Sequence, residues 1–589
     1  MVASTHWLAS AAGMSVLEKG GNAFDAAVAA GFVLQVVEPH LNGPGGEVPV
    51  VAYDTRLGAG RSGVFVLDGQ GTAPAAATLA AFADLGLDLV PGSGLLAAVV
   101  PAAFGTWMLL LERHGTMRPR DVLEYAIGYA RDGYPMLPSA SAQIEAMADT
   151  FREYWPTSAE VYLGNGVPGP GHRFANPVLA ATYSRILEEA EAAGSSREAQ
   201  IEAARRAFYE GFVAEAITAY LDGAEVMDVT GERHRGLLAG DDLAAWRASA
   251  EEPATLDFRG FTVCKTGPWG QGPVFLQQLA QLDALDLAAM GAGSADFIHA
   301  VTESCKLAMA DREAWYGDPR FSEVPLAGLL SAEYAAQRRA LIGDQASAEL
   351  TPGAPGGVAG RLPGYALAAF GGPRLAGVAA GAGIGEPTMV SAPQLGTGDT
   401  CHLDVADRFG NLVSATPSGG WLQSSPVVPG LGFCLGSRAQ MFALTPGFAS
   451  SLAPGRRPRT TLSPSLALRD GEPYLAFGTP GGDQQDQWTL AVFLNHAVFG
   501  MNLQEAIDFP AFHTDHMPSS FYPRAAQPRS LTVESRVGEQ VVTGLRARGH
   551  DVSVRGPWSQ GRVSAVARSG GFLYAGANPR GMQGYAAGR

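Results

Sequence analysis

Apolar positions in the first forty residues recur at helical rather than alternating spacing, and they do so twice. LASAAGMSVLEK stops at Gly20-Gly21, and DAAVAAGFVLQVVE runs from Asp25 to the residue before Pro39. The second stretch carries small or apolar residues on nearly every side, which predicts a helix packed closely on all faces. HLNGPGGEVPVVAYD follows, a glycine-rich turn entering an apolar strand. From about residue 100 to 350 helical patterns dominate, for example REAQIEAARRAFYEGFVAEAITAYLDG and SADFIHAVTESCKLAMADREAWYGDP. Between these two, FTVCKTGPWGQGP reads as a strand ending in a loop. Periodicity then disappears from 351 to 398, where Gly, Ala and Pro dominate and charge is scarce. That composition predicts a mobile segment that need not pack. At Thr400 the pattern resumes abruptly: HLDVAD and LVSATPS around a turn at Gly410-Asn411, then SPSLALRD and YLAFGT, then a helix in QWTLAVFLNHAVF.

Composition narrows the class without naming a function. The 589 residues are 47% hydrophobic and 17% charged, as in ordinary globular proteins. A formal charge of −16 repels a phosphate backbone, and no Lys/Arg run offsets it, so nucleic acid is not an expected partner. The loop at 41–46 precedes a strand rather than a helix and lacks Lys-Ser/Thr, which argues against phosphate binding. Cys264, Cys305, Cys401 and Cys434 are too few to staple the chain and too far apart for a metal motif. Neither metal nor cofactor is expected. The apolar run from Gly94 to Leu111 is broken by Pro101 and Gly105, so it reads as a buried strand or turn feeding a core helix rather than a membrane span. The opening residues show no basic region followed by an apolar core, and a cytoplasmic location is the expectation.

The restart at GDTCHLDVADRFGN is where chemistry enters. A threonine hydroxyl is too weak an acid to attack an amide unaided and needs an adjacent base. The α-amine of an N-terminal threonine supplies one, because its pKa near 8 leaves a useful fraction neutral. Such a terminus is made by cutting the chain: the Thr oxygen attacks the preceding carbonyl, the acyl group shifts from nitrogen to oxygen, and water releases the new end. Gly396-Thr397-Gly398-Asp399 upstream would permit that geometry. Read locally, the same residues are also an ordinary strand start after a surface loop.

Five further stretches carry a resemblance. GGNAFDAAVAAGFVLQVVEPHLNGPGG, TESCKLAMADREAWYGDPRF, GDTCHLDVADRFGNLVSATPS, RRPRTTLSPSLAL and FGTPGGDQQDQWTLAVFLN occur in the order, and over nearly the whole length, of the γ-glutamyltranspeptidase family, which the chain resembles. The resemblance implies an α+β fold, the four-layer αββα sandwich of N-terminal nucleophile hydrolases. It further implies a large subunit, 1–399, and a small subunit, 400–589, cut from one precursor between Asp399 and Thr400, with a dimer of such heterodimers left open. Thr400 is then nucleophile and base, Gly481 and Gly482 supply backbone N–H groups to the oxyanion, and Ser418 steadies the nucleophile from the position of a family threonine. Cys401 becomes the second residue of the small subunit, with a structural role.

Substrate recognition departs from the family pattern. The family arginine that pairs with a glutamyl α-carboxylate is Gln70 here, within DGQGTAP. A neutral amide forfeits that bidentate charged pair. In GSRAQMF, Gln440 and Met441 stand where the family has acids that hold the α-ammonium. A family Ser-Ser pair appears as Thr460-Thr461, which keeps two hydroxyls. Trp421 either lines the pocket or caps the hairpin. Arg459, with Arg456 and Arg457, either receives a substrate carboxylate or is a solvated surface residue. With both charged anchors gone, the expectation is an amidohydrolase or acyltransferase acting on a small amide with a non-classical acyl donor. Three alternatives stay open: genuine γ-glutamyl transfer or glutathione hydrolysis, the C–C bond hydrolysis next to a carbonyl performed by biosynthetic relatives in antibiotic assembly, and an unprocessed binding paralogue.

Overall fold

The computed structural model describes residues 1–371 and 400–589. The expected cut at Asp399 and residues 372–398 of the Gly/Pro-rich segment lie outside the described residues. The part of that segment that is described packs: Tyr365, in the short helix Gly364–Ala369, is buried and donates its hydroxyl to Glu313.

Two antiparallel sheets lie face to face. The first has seven strands in the order Tyr585–Ala587, Val2–Ser4, Leu403–Ala406, Leu412–Ala415, Val50–Tyr53, Val64–Leu67, Ala250–Glu251. The second has six, in the order Phe572–Gly576, Ser564–Ser569, Glu472–Gly478, Ser465–Arg469, Phe261–Lys265, Ala254–Phe258. Alternation along each strand sorts side chains between two cores, as a pleat requires. Val51, Tyr53, Val64, Val66, Leu412, Leu466, Leu468 and Ala476 meet between the sheets. Their neighbours Val50, Ala52, Phe65, Leu67, Leu403 and Val405 point outward into helices Trp7–Glu18, Ala23–Val37 and Ala103–His114. Leu475, Phe477, Ala565 and Ala567 point the other way, toward helices Gly272–Leu282, Ala295–Trp315 and Gln485–Ala497. Helix, sheet, sheet, helix is the expected αββα sandwich.

The all-sided helix is Ala23–Val37, every residue of which is buried. Asn22 caps it, accepting from the Phe24 and Asp25 N–H groups at 3.0 Å, while Asp25 accepts from the Asn22 N–H at 2.9 Å. Small residues are needed because neighbours come close: a Cβ at Gly31 would lie 2.3 Å from the Trp107 ring. The run from Gly94 contains no strand; buried coil leads directly into helix Ala103–His114. No helix among the described residues is long and apolar enough to cross a membrane.

A buried ion pair ties the second sheet to its helix. Lys265 Nζ lies 2.9 Å from Asp486, and both side chains are fully buried. Ser463 donates to the same carboxylate at 2.7 Å, and Lys265 also donates to Ser465 Oγ at 2.8 Å. Burial pushes the lysine down and the carboxyl up from their ordinary pKa values, so each is held charged chiefly by the other. Removing one partner strands the other in an apolar interior. Lys265→Met is therefore expected to cost about 3 to 5 kcal/mol, seen as a large fall in Tm, and Lys265→Met/Asp486→Leu to recover most of it. A Tm within a few degrees of wild type for the single variant would show that the pair is not what joins these elements.

Candidate active site

Thr400 enters the first sheet at its most crowded point. It forms an antiparallel bridge with Ser418, and Ser418 bridges in turn to Glu47 on its other side. The Ser418 N–H donates to the Glu47 carbonyl at 2.9 Å, and the Glu47 N–H returns a bond to the Ser418 carbonyl at 2.8 Å. Three backbones thus lie in register, and glycines make the spacing possible. A Cβ at Gly45 would fall 2.0 Å from the Cys434 carbonyl oxygen, and one at Gly46 would fall 2.1 Å from that of Ser418. The glycine-rich loop is a backbone wedge beside the candidate nucleophile.

Thr400 Oγ1 lies 3.2 Å from Ser418 Oγ, and both residues are buried. Ser418 Oγ also accepts from Arg438 Nη2 at 2.9 Å. Arg438 is the residue that sequence reasoning missed. Its side chain is 1% exposed, its Nε and Nη2 fork onto one Glu47 oxygen, and its Cζ lies 5.1 Å from the centre of the Trp421 ring. Glu47 was missed with it, although an acid directly after Gly-Gly and an arginine between small residues were the available signals.

Behind Arg438, Trp421, Met441 and Phe521 form a small apolar cluster of their own. Trp421 donates Nε1–H to the Leu41 carbonyl at 2.7 Å, which braces the hairpin. Met441 Sδ lies 3.7 Å from Arg438 Nη1. Phe521 touches the expected oxyanion turn, since a Cβ at Gly482 would lie 2.5 Å from its ring. Gly481 has φ +107, a conformation that favours glycine, and its α-carbon faces Trp488 with no room for a side chain. Asp483 fixes this turn by accepting from the Ser520 N–H at 2.8 Å and pairing with Arg312. Thr400, Ser418, Arg438, Trp421, Phe521 and Gly482 therefore form one unbroken chain of contacts.

The other expected residues divide. Thr461 is buried with no partner for its hydroxyl among the described residues, whereas Thr460 Oγ1 accepts from the Leu462 N–H at 3.3 Å. Gln70 is fully buried on the strand side of Glu47, with its Oε1 unpartnered among the described residues. Gln440 is structural: it accepts from the Tyr522 N–H at 3.0 Å and donates to Ser437. None of the three arginines is solvated. Arg457 is shared among Asp318, Glu251 and Asp68, Arg459 lies 2.9 Å from Glu313, and Arg456 donates to backbone carbonyls.

Cys401 is fixed from two sides, donating to Glu38 at 2.8 Å and accepting from Asn42 Nδ2 at 3.0 Å. Burial first, then the Glu38 carboxylate, push its thiol well above the ordinary cysteine range. Among the described residues, His299, Glu303 and His550 form the group whose ligand atoms lie within 4.8 Å of one another. Its positions are already filled by hydrogen bonds: His299 Nδ1 to His550 Nε2 at 2.9 Å, His299 Nε2 to the Gly343 carbonyl at 2.8 Å, and Lys306 to Glu303 at 2.6 Å. An ammonium stands where a cation would bind, so the cluster reads as a polar clasp.

The family described as Gamma-glutamyltranspeptidase matches residues 9–588. The glutathione hydrolase-like YwrD proenzyme of Bacillus subtilis (strain 168) is 30% identical over 592 residues, covering 99% of this chain and 97% of its own. The solved structure of LmbA2991HD matches at 55% identity with a TM-score of 0.91, covering 100% of this chain and 98% of its own. A cephalosporin acylase from Bacillus halodurans matches at 27% identity with a TM-score of 0.80, covering 100% and 95%.

All four cysteines are buried, with burial the leading cause of a raised pKa in each. A thiol in that state is not a nucleophile near neutral pH. Iodoacetamide at pH 8 is expected to leave the native protein unmodified by mass, and to add four groups only after unfolding. Labelling of Cys401 in the folded protein would reopen it as the attacking group.

Proposed function

The chain belongs to the gamma-glutamyltranspeptidase family, and from that premise we propose that it is a self-processing N-terminal-threonine amidohydrolase or acyltransferase acting through an ester on Thr400. The observation that carries this reading is the buried Thr400 Oγ1–Ser418 Oγ pair, joined by contact to the Gly481-Gly482 turn.

The chemistry follows from the named atoms. Cutting before Thr400 frees its α-amine, which takes the hydroxyl proton as Oγ1 attacks a carbonyl carbon. Arg438 Nη2 donates to Ser418 Oγ and so fixes that hydroxyl 3.2 Å from the attacking Thr400 Oγ1. The carbonyl oxygen becomes an oxyanion near the 481–482 backbone, where each preorganised N–H contributes about 3 kcal/mol. Collapse breaks the C–N bond, the α-ammonium returns its proton to the leaving amine, and water or a second amine takes the acyl group from Thr400.

The donor is proposed to lack a free α-amino acid head group. Gln70 and Met441 offer neither of the charges that such a head group needs, and both are fully buried, where an unmatched ammonium or carboxylate is costly. Similarity to a cephalosporin acylase supports an acylase reading. The glutathione hydrolase-like relative favours a second reading, γ-glutamyl transfer, in which other groups hold the zwitterion.

Wild-type protein is expected to run as two fragments of about 400 and 190 residues, Thr400→Ala as one band, and Thr400→Ser as a slowly cut chain. Turnover of simple acyl anilides should exceed that of γ-glutamyl anilide at least tenfold in kcat/KM, about 1.4 kcal/mol. A Thr400→Ala chain that still cuts at this position ends the nucleophile assignment. Strong γ-glutamyl turnover replaces the acylase reading with the second one.

A further inference from the structure

We propose that Arg438 is the specificity-determining residue of this site, and that its Nη1 receives the carboxylate of a short dicarboxylic acyl group. The inference rests on the reading of Thr400 as nucleophile and adds the identity of the group that selects its substrate.

The guanidinium has three edges, and the structure uses them unequally. Nε and Nη2 are held by Glu47, and the second Nη2 proton goes to Ser418 Oγ at 2.9 Å. Among the described residues, the hydrogen-bond partner of Nη1 is the thioether of Met441 at 3.7 Å, a weak acceptor. A buried cationic donor pair facing sulfur has forgone most of its hydrogen-bond energy. A carboxylate is the group that restores it, with charge-assisted bonds about twice as strong as neutral ones.

Position sets the length of the acid. The Arg438–Ser418 and Ser418–Thr400 bonds, 2.9 and 3.2 Å, put Nη2 within about 6 Å of Thr400 Oγ1, and Nη1, about 2.3 Å further across the planar guanidinium, within about 8 Å. An attacking oxygen stands about 3 Å from the carbonyl carbon it approaches, and a carboxylate oxygen lies about 2.8 Å from its guanidinium nitrogen. The space between leaves room for only a few carbon–carbon bonds between the reacting carbonyl and the carboxylate, as in oxalyl, malonyl or succinyl groups. The plane of Arg438 cannot swing to follow a longer acid, because Glu47 holds one edge and Trp421 and Phe521 lie 5.1 and 6.0 Å from its centre. The other buried arginines near the 456–460 loop are engaged elsewhere: Arg457 with Asp318 and Glu251, Arg459 with Glu313.

The reaction remains an acyl transfer. Thr400 Oγ1 forms the ester bond, the amide C–N bond breaks, the amine leaves with a proton from the α-ammonium, and water then releases the free dicarboxylic acid. Arg438 takes no part in bond making and keeps its charge throughout.

The test uses the processed wild-type protein and anilides of oxalyl, malonyl, succinyl, glutaryl, γ-glutamyl and butyryl groups. Wild type is expected to prefer the malonyl or succinyl anilide over the neutral butyryl one by about 100-fold in kcat/KM, carried mainly by KM. Free malonate or succinate should compete, and butyrate should not. Arg438→Gln should cut the charged-to-neutral ratio about 100-fold, and Arg438→Lys should keep part of it. The ratio is read within one preparation, so a general loss of activity does not imitate the effect. Where Arg438→Gln fails to fold or to cut itself, the wild-type ratio and the competition by dicarboxylates decide the matter. Equal turnover of charged and neutral acyl groups by cut wild-type protein, or an unchanged ratio in Arg438→Gln, overturns the assignment of Arg438 while leaving the nucleophile intact. Cutting by Thr400→Ala overturns the nucleophile instead.

Discussion

The geometry around Thr400 depends on how closely three backbones approach one another. Residues 43–46 lie against 418–420 and 434–436 at distances that exclude any Cβ at Gly45 or Gly46. This contact fixes Ser418 between Thr400 and Glu47, and so fixes a hydroxyl that meets the candidate nucleophile. A hydroxyl on a loop would sample several positions and lose catalytic effect through misplacement. Here the position is set by main-chain bonds of 2.8 and 2.9 Å before any side chain contributes. The glycine-rich segment therefore positions Ser418 through packing.

Charge is handled under the same constraint. Arg438, Glu47, Lys265, Asp486, Arg312, Asp483, Arg457 and Asp318 are all buried or nearly so, and each has an opposite charge at contact. Buried pairs of this kind add little net stability, yet breaking one is expensive, so they act as fixed registers between elements. All four pairs, Arg457–Asp318 among them, tie the part of the chain before Thr400 to the part after it. Glu47–Arg438 does this at the site, Lys265–Asp486 between the second sheet and its helix, and Arg312–Asp483 at the oxyanion turn. In the first, Nη1 of Arg438 ends on a thioether and so leaves donor capacity unspent. The same burial that makes the other pairs rigid makes this one selective.

Much of the fold was legible because strand alternation and helix periodicity report burial directly. The two N-terminal helices, the hairpin around Gly410 and the helix in QWTLAVFLNHAVF all stand where the pattern put them, at Trp7–Glu18, Ala23–Val37, Leu403–Ala415 and Gln485–Ala497. At the candidate site, the sequence pointed to Thr400, Ser418 and the glycine pair, and the structure links them by contact. The site was not legible at Glu47 and Arg438, which are 391 residues apart and gain meaning only through their pairing. The same blindness affected Arg456, Arg457 and Arg459. A cluster of arginines beside prolines reads as solvated surface, and nothing local reveals that Asp68, Glu251, Asp318 and Glu313 converge on two of them. Pattern reports which side of an element is buried; it does not report which distant charge is waiting there.

Cutting the chain at Thr400 would not divide this structure. The first sheet alternates strands from both parts, with Leu403–Ala406 between Val2–Ser4 and Leu412–Ala415, and Leu412–Ala415 paired in turn to Val50–Tyr53. The second sheet joins Phe261–Lys265 to Ser465–Arg469 in the same way. A free terminus at Thr400 would be held from both sides by strands that the cut does not touch. That topology is what an N-terminal nucleophile requires: its α-amine must be released from the peptide bond while its hydroxyl stays where Ser418 and the 481–482 turn can use it. A terminus at the edge of a sheet would fray. A terminus in the middle of one, wedged by glycines and braced by a buried ion pair, gains a base without losing its aim.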